Sequence, residues 1–106
     1  MTGKYIKVIP KGIYELLSPV VLAHLVMGDG NFQRDANTIR IYTNSFSKSD
    51  LERMVIAIQT KYEIIVRVRH DRNNQYILVI GPSQLAKFQK LVLPHMHVSM
   101  LYRIGL

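Results

Sequence analysis

Ser18-Pro19-Val20-Val21-Leu22-Ala23-His24-Leu25-Val26-Met27-Gly28-Asp29-Gly30 is the stretch on which the fold turns. Serine is a preferred N-cap, and proline suits the first helical position because its missing N–H would be unpaired there anyway. A helix therefore starts here, runs through Met27 and stops near Gly28-Asp29-Gly30, glycine being the common terminator. On a helical wheel, Val20, Ala23, His24 and Met27 fall on one side and Leu22, Leu25 and Val26 largely on the other. A helix that is apolar all round is buried all round. An isologous contact with a second copy would cover the outer stripe Val20/Ala23/His24/Met27; the alternative is a core helix capped by the N-terminal segment. Asp29 stands where unsatisfied carbonyls make the local field negative, so its carboxylate calls for a cation. Helix-end carbonyls such as that of Gly28, plus one carboxylate, are hard oxygen ligands of the kind that suits Mg²⁺. The competing reading is a plain Asp-Gly turn.

Outward from this helix the chain alternates. Residues Met1 to Gly12 form a basic, irregular lead-in with Lys4, Lys7 and Lys11. Asn31 to Arg34 and Thr38 to Asn44 have strand character and are separated by the turn composition Asp35-Ala36-Asn37. Ser47-Lys48-Ser49-Asp50 opens a second helix, with Leu51, Met54, Val55, Ile58 and Tyr62 at helical spacing. Glu63 to His70 alternates, Asp71-Arg72-Asn73-Asn74 turns, and Gln75 to Ile80 returns. Gly81-Pro82-Ser83 begins a third helix with Leu85, Phe88, Leu91 and Val92 on one face, and Pro94 ends it. The tail keeps an apolar cluster at Met100, Leu101, Tyr102 and Ile104. The order is α-β-β-α-β-β-α, an α+β fold with both hairpins in one antiparallel sheet and the helices on one face.

Composition narrows the function. The 106 residues are 48% hydrophobic and 20% charged, enough for one core, and the expectation is a single domain over 1–106. The absence of cysteine excludes a disulfide scaffold, a zinc ribbon and a thiol nucleophile. The longest apolar run, Val20 to Met27 broken by His24, falls far short of the ~20 residues that cross a bilayer, and no membrane role is expected. Fourteen Lys and Arg against seven acids give a net charge of +7, and the usual partner of such a surface is a polyanion.

The segment Leu22-Ala23-His24-Leu25-Val26-Met27-Gly28-Asp29-Gly30 resembles the LAGLIDADG motif of homing endonucleases and intron maturases. Leu22, Ala23, Leu25, Asp29 and Gly30 match, while His24 stands for the family's glycine and Met27 for its first aspartate. The element order is similar to the family's unit. Leu17-Ser18-Pro19-Val20-Val21-Leu22-Ala23-His24, Thr43-Asn44-Ser45-Phe46-Ser47 and Pro94-His95-Met96-His97-Val98-Ser99-Met100-Leu101-Tyr102 look like its organellar, intron-encoded branch. The resemblance implies a mitochondrial or other organellar location and metal-dependent cleavage of both strands of a long duplex DNA target. It implies a homodimer, or pairing with a second, non-identical half. Asp29 would be catalytic and a Mg²⁺ ligand, with Ca²⁺ supporting binding without cleavage. The family's lysine after the third helix has no counterpart near His97 and Ser99, and His97 is the residue there that can carry positive charge. That departure keeps a second reading open, an intron maturase or an inactive nucleic-acid-binding relative.

The sheet supplies recognition. Ile64, Val66 and Val68 are apolar and face the helices, which turns Arg67 and Arg69 to the open face by the period of two. Arginine matches guanine O6 and N7 in the major groove. The resemblance puts Gln75 and Ile77 on the same side, Ile77 suiting a thymine methyl. In the first hairpin Asn31 and Gln33 flank the core residue Phe32, and Arg40, Tyr42 and Asn44 alternate with Ile39 and Ile41.

Overall fold

A computed structural model describes residues 12–43 and 46–106. Helix α1 (Ile13–Leu16) precedes α2 (Pro19–Asp29), then β1 (Gly30–Gln33), β2 (Thr38–Ile41), α3 (Lys48–Tyr62), β3 (Arg67–His70), β4 (Tyr76–Ile80) and α4 (Pro82–Val92). Two 3₁₀ segments, Leu93–His95 and Val98–Ile104, follow. The four strands form one antiparallel sheet in the order β1-β2-β4-β3. Helices pack on one face of it, as the alternation of elements predicts. The 3₁₀ tail and the single turn of α1 have no counterpart in the sequence reading. Asn44 lies outside the described residues.

Local chemistry sets the element ends. Ser18 Oγ accepts from the Val21 N–H at 3.2 Å and Pro19 opens α2. Ser47 Oγ accepts from the Asp50 N–H at 3.2 Å and opens α3. Glu63 closes α3 in the left-handed region (φ 57), residues 63–66 make no strand pairing, and the strand predicted from Glu63 begins only at Arg67. The second hairpin turns on Asn73 and Asn74, with φ of 49 and 61, and the Gln75 N–H donates to the Arg72 carbonyl at 2.7 Å. Asparagine tolerates the left-handed conformation that a primed hairpin turn needs at both central positions.

The central strands carry the core: Ile39, Ile41, Leu78 and Ile80 are buried against Leu22, Ala23, Val26, Leu51, Ile58, Phe88 and Val92. Two lysines tie helix ends to this layer. Lys61 Nζ donates to the Tyr14 and Leu17 carbonyls at 2.9 and 2.6 Å, and Lys87 Nζ donates to the Glu63 carbonyl at 2.6 Å. Cations belong at such ends because the free carbonyls are partially negative.

Candidate nucleic-acid interface and the end of α2

Asp29 is the last residue of α2 and is exposed, and its backbone carbonyl accepts from the Tyr42 N–H at 2.9 Å. That bond joins the helix end to the sheet. The chain turns from helix to strand at Gly30, whose N–H closes the helix on the Val26 carbonyl. A Cβ at Gly30 would press on Val26 Cγ2 and lie 2.5 Å from the Val26 carbonyl oxygen, so only glycine allows strand β1 to leave the helix here.

The C-terminal 3₁₀ segment holds both flanks of this turn. The His97 N–H meets Met27 Sδ at 3.4 Å, while Arg103 Nη1 donates to the Gly30 carbonyl at 2.7 Å. The guanidinium also lies over the Tyr102 ring, 5.3 Å from its centre, and its buried Nε has no partner among the described residues. His97 caps its own segment: Nδ1 accepts from the Ser99 N–H at 3.2 Å and lies 2.7 Å from Ser99 Oγ. The cation set into this helix end is thus Arg103, which the sequence reading passed over as part of an apolar tail. His97 is exposed beside Met27.

Asp29 offers a carboxylate among helix-end carbonyls, and hard oxygen donors fit Mg²⁺. Among the described residues no three His, Cys, Asp or Glu cluster as a metal site.

The exposed stripe of α2 differs in part from the predicted one. Val20 (42%), Val21 (43%), His24 and Gly28 are exposed, whereas Ala23 is fully buried in the chain's own core and cannot touch a partner. A helix apolar on all sides carries no asymmetry from which its inner face can be chosen, so the sequence alone does not show that Ala23 faces inward. Met27 sits at the edge, half-buried, with its sulfur against His97.

On the open sheet face the register sets Asn31 beside Arg40, Arg40 beside Val79, and Val79 beside Arg67, a row across all four strands. Arg69 lies opposite Ile77 in the next row. Arg67 and Arg69 are exposed and Arg40 half-exposed, and among the described residues none of the three guanidinium groups has a hydrogen bond or ion pair. Tyr42 and Asn31 are exposed and Gln33 half-buried. Ile77 and Val79 stand apart from the core cluster yet are only 5% exposed. With so little of its side chain accessible, Ile77 is not presented to a base as expected. Gln75 lies in the turn before β4, where its carbonyl accepts from the Asp71 N–H at 2.8 Å. Thr38, Ile65, Ser83 and Gln84, none of them a site residue expected from the sequence, line a concavity with Arg67, Arg69 and Val79.

Residues 2–88 match the LAGLIDADG DNA endonuclease family. The chain is 31% identical, over 99% of its length, to the cytochrome b mRNA maturase bI2 of Saccharomyces cerevisiae, and covers 25% of that protein. It is 26% identical over 98% of its length to the DNA endonuclease I-ChuI of Chlamydomonas applanata, covering 50% of it. The homing endonuclease I-WcaI, solved bound to its DNA recognition sequence, superposes with a TM-score of 0.85 at 19% identity, over 97% of this chain and 48% of that one. The chain thus spans about a quarter to a half of these relatives' lengths.

Proposed function

The chain belongs to the LAGLIDADG DNA endonuclease family, and from that footing we propose that it is one unit of a site-specific, Mg²⁺-dependent endonuclease acting on double-stranded DNA. One observation carries the reading. The exposed carboxylate of Asp29 stands where the bare stripe of α2 meets the first strand of a basic, open sheet.

Each surface has a role in that scheme. Unpaired Arg40, Arg67 and Arg69 reach into the major groove, the exposed stripe of α2 packs on a second unit of this fold, and two Asp29 carboxylates meet at the junction. Asp29 and the Gly28 carbonyl would hold Mg²⁺, which when bound would supply an activated water and charge stabilisation for the phosphodiester oxygens. Arg103 offsets the negative helix end and keeps the Asp29–Gly30 turn in place. The family resemblance and the maturase relative support an organellar, intron-encoded setting.

A maturase role is the second reading, favoured by the relative of highest identity above. Incubation with a randomised duplex library, with and without Mg²⁺, separates the two. A single cleaved sequence appearing only with Mg²⁺ supports the endonuclease; sequence-selective binding without cleavage favours the alternative.

A further inference from the structure

We infer that Ile65 reads the methyl group of a thymine, at the outer end of the row that Arg67 and Arg69 form. The inference rests on the reading of the open sheet face as the surface that enters the major groove.

Burial alternates residue by residue before and within β3. Ile64 and Val66 are 2% and 3% exposed, whereas Ile65 is 50% exposed and Arg67 and Arg69 are exposed as well. Ile65 lines the same concavity as the two arginines, so the three side chains stand on one side of the chain. Thr38 borders that concavity from β2, and Ser83 and Gln84 border it from the first turn of α4. Its volume of about 250 Å³ is below that of pockets that enclose drug-sized ligands, which suits the edge of a larger partner better than a free small molecule.

A lone exposed isoleucine calls for no explanation by itself. This one is set apart by how it is held. The Ile65 N–H donates to Gln84 Oε1 at 3.0 Å, which ties its backbone to α4. Both of its chain neighbours are locked in the core, and a β-branched side chain has few rotamers left to it. The apolar group is therefore presented in a fixed place, as a specific contact requires. Among the described residues it is also the one exposed aliphatic side chain on the side of Arg67 and Arg69, since Ile77 and Val79 are 5% exposed. The other exposed aliphatic groups lie on the helices and the C-terminal tail.

In the major groove thymine presents a C5 methyl beside its O4 acceptor, and apolar side chains contact that methyl. Two residues of chain span at most about 7 Å, and successive base pairs rise about 3.4 Å. Ile65 thus falls within about two base pairs of the pair that Arg67 contacts, on the side away from Arg69. Arginine reads bases through hydrogen bonds, which do not distinguish thymine from uracil. Isoleucine does.

The test uses the duplex that this chain selects from a randomised library, with binding measured in Ca²⁺. Each thymine is replaced in turn by deoxyuridine, which keeps O4 and the base pairing and removes only the methyl. One position in the half-site that this chain covers should weaken binding by roughly 4-fold, the worth of one methyl group taken from water. Ile65→Ala should bind the selected duplex more weakly and lose the thymine–uracil difference at that position alone. Ile65→Val, which keeps both branches at Cβ, should retain part of it. Selective binding with no methyl effect at any thymine overturns the inference. So does a thymine–uracil difference that persists unchanged at every position in Ile65→Ala. If no sequence is selected, or if Arg67→Ala and Arg69→Ala leave binding unchanged, the open face is not the recognition surface. The underlying reading then fails, and the inference falls with it.

Discussion

Arg103 Nη1 donates to the carbonyl oxygen of Gly30 at 2.7 Å, which anchors a positive charge one residue beyond Asp29. Hydrogen bonds from charged groups stabilise by roughly 1.5–3 kcal/mol, and this one also offsets the negative end of α2. Arg103→Met should lower the urea midpoint by that order, while Arg103→Lys recovers part of the loss. If Arg103→Met unfolds at the same urea concentration as the unaltered chain, the contact holds nothing in place.

What the sequence reveals, and what it hides, divides by the range of the interaction. Capping at Ser18 and Ser47, the period of two around Arg67 and Arg69, and the stop at Gly30 are local, and each is readable from neighbouring residues. Arg103 meets Gly30 across 73 positions, Lys61 meets Leu17 across 44, and Lys87 meets Glu63 across 24. No pattern in the chain marks those pairs, so neither lysine can be recognised from the sequence as a helix cap. Ile77 shows a third limit: both faces of its strand are apolar, so period alone does not choose its side, and only the register sets Arg69 opposite it.

Gly28 and Gly30 should respond in opposite ways to the same substitution. A Cβ at Gly28 meets nothing within 4 Å, whereas at Gly30 it collides with Val26. Gly28→Ala should stabilise the isolated chain by about 0.5–1 kcal/mol through helix propensity. The same methyl, on the exposed stripe, should weaken pairing and cleavage. Gly30→Ala should destabilise by about 1–3 kcal/mol or more. Thermal melts of the two variants check the first contrast, and a Gly30→Ala protein that melts unchanged would refute the tight turn.

Lys87 and the sheet arginines should separate stability from recognition. Lys87→Ala removes the cap on the Glu63 carbonyl, so it should cost roughly 0.5–1.5 kcal/mol of stability and leave target affinity of the folded protein unchanged. Arg67→Ala and Arg69→Ala, both unpaired and exposed, should leave stability within about 0.5 kcal/mol. Each should lose roughly 1–3 kcal/mol of binding and relax preference at one base pair. Binding titrations against singly substituted targets decide the matter: an even loss over every target would make the arginines phosphate contacts.

Asp29 is the sharpest test of chemistry because its carboxylate is exposed and only its backbone serves the fold. Asp29→Asn keeps the Tyr42 N–H bond to the carbonyl of residue 29 and the Gly30 turn, so stability should stay within about 0.5 kcal/mol. An amide no longer adds negative charge to a helix end that is already negative, which favours the variant slightly in the absence of metal. The proposed recognition surface is the open sheet face rather than the Asp29 carboxylate, so binding to a cognate duplex in Ca²⁺ should persist. Cleavage in Mg²⁺ should be lost, since a neutral amide is a poor ligand for a hard divalent ion. The decisive comparison is the pair of assays on one preparation. Intact binding with no cutting assigns the metal role to Asp29, while cutting near the unaltered rate would reduce Asp29 to a turn residue between helix and strand.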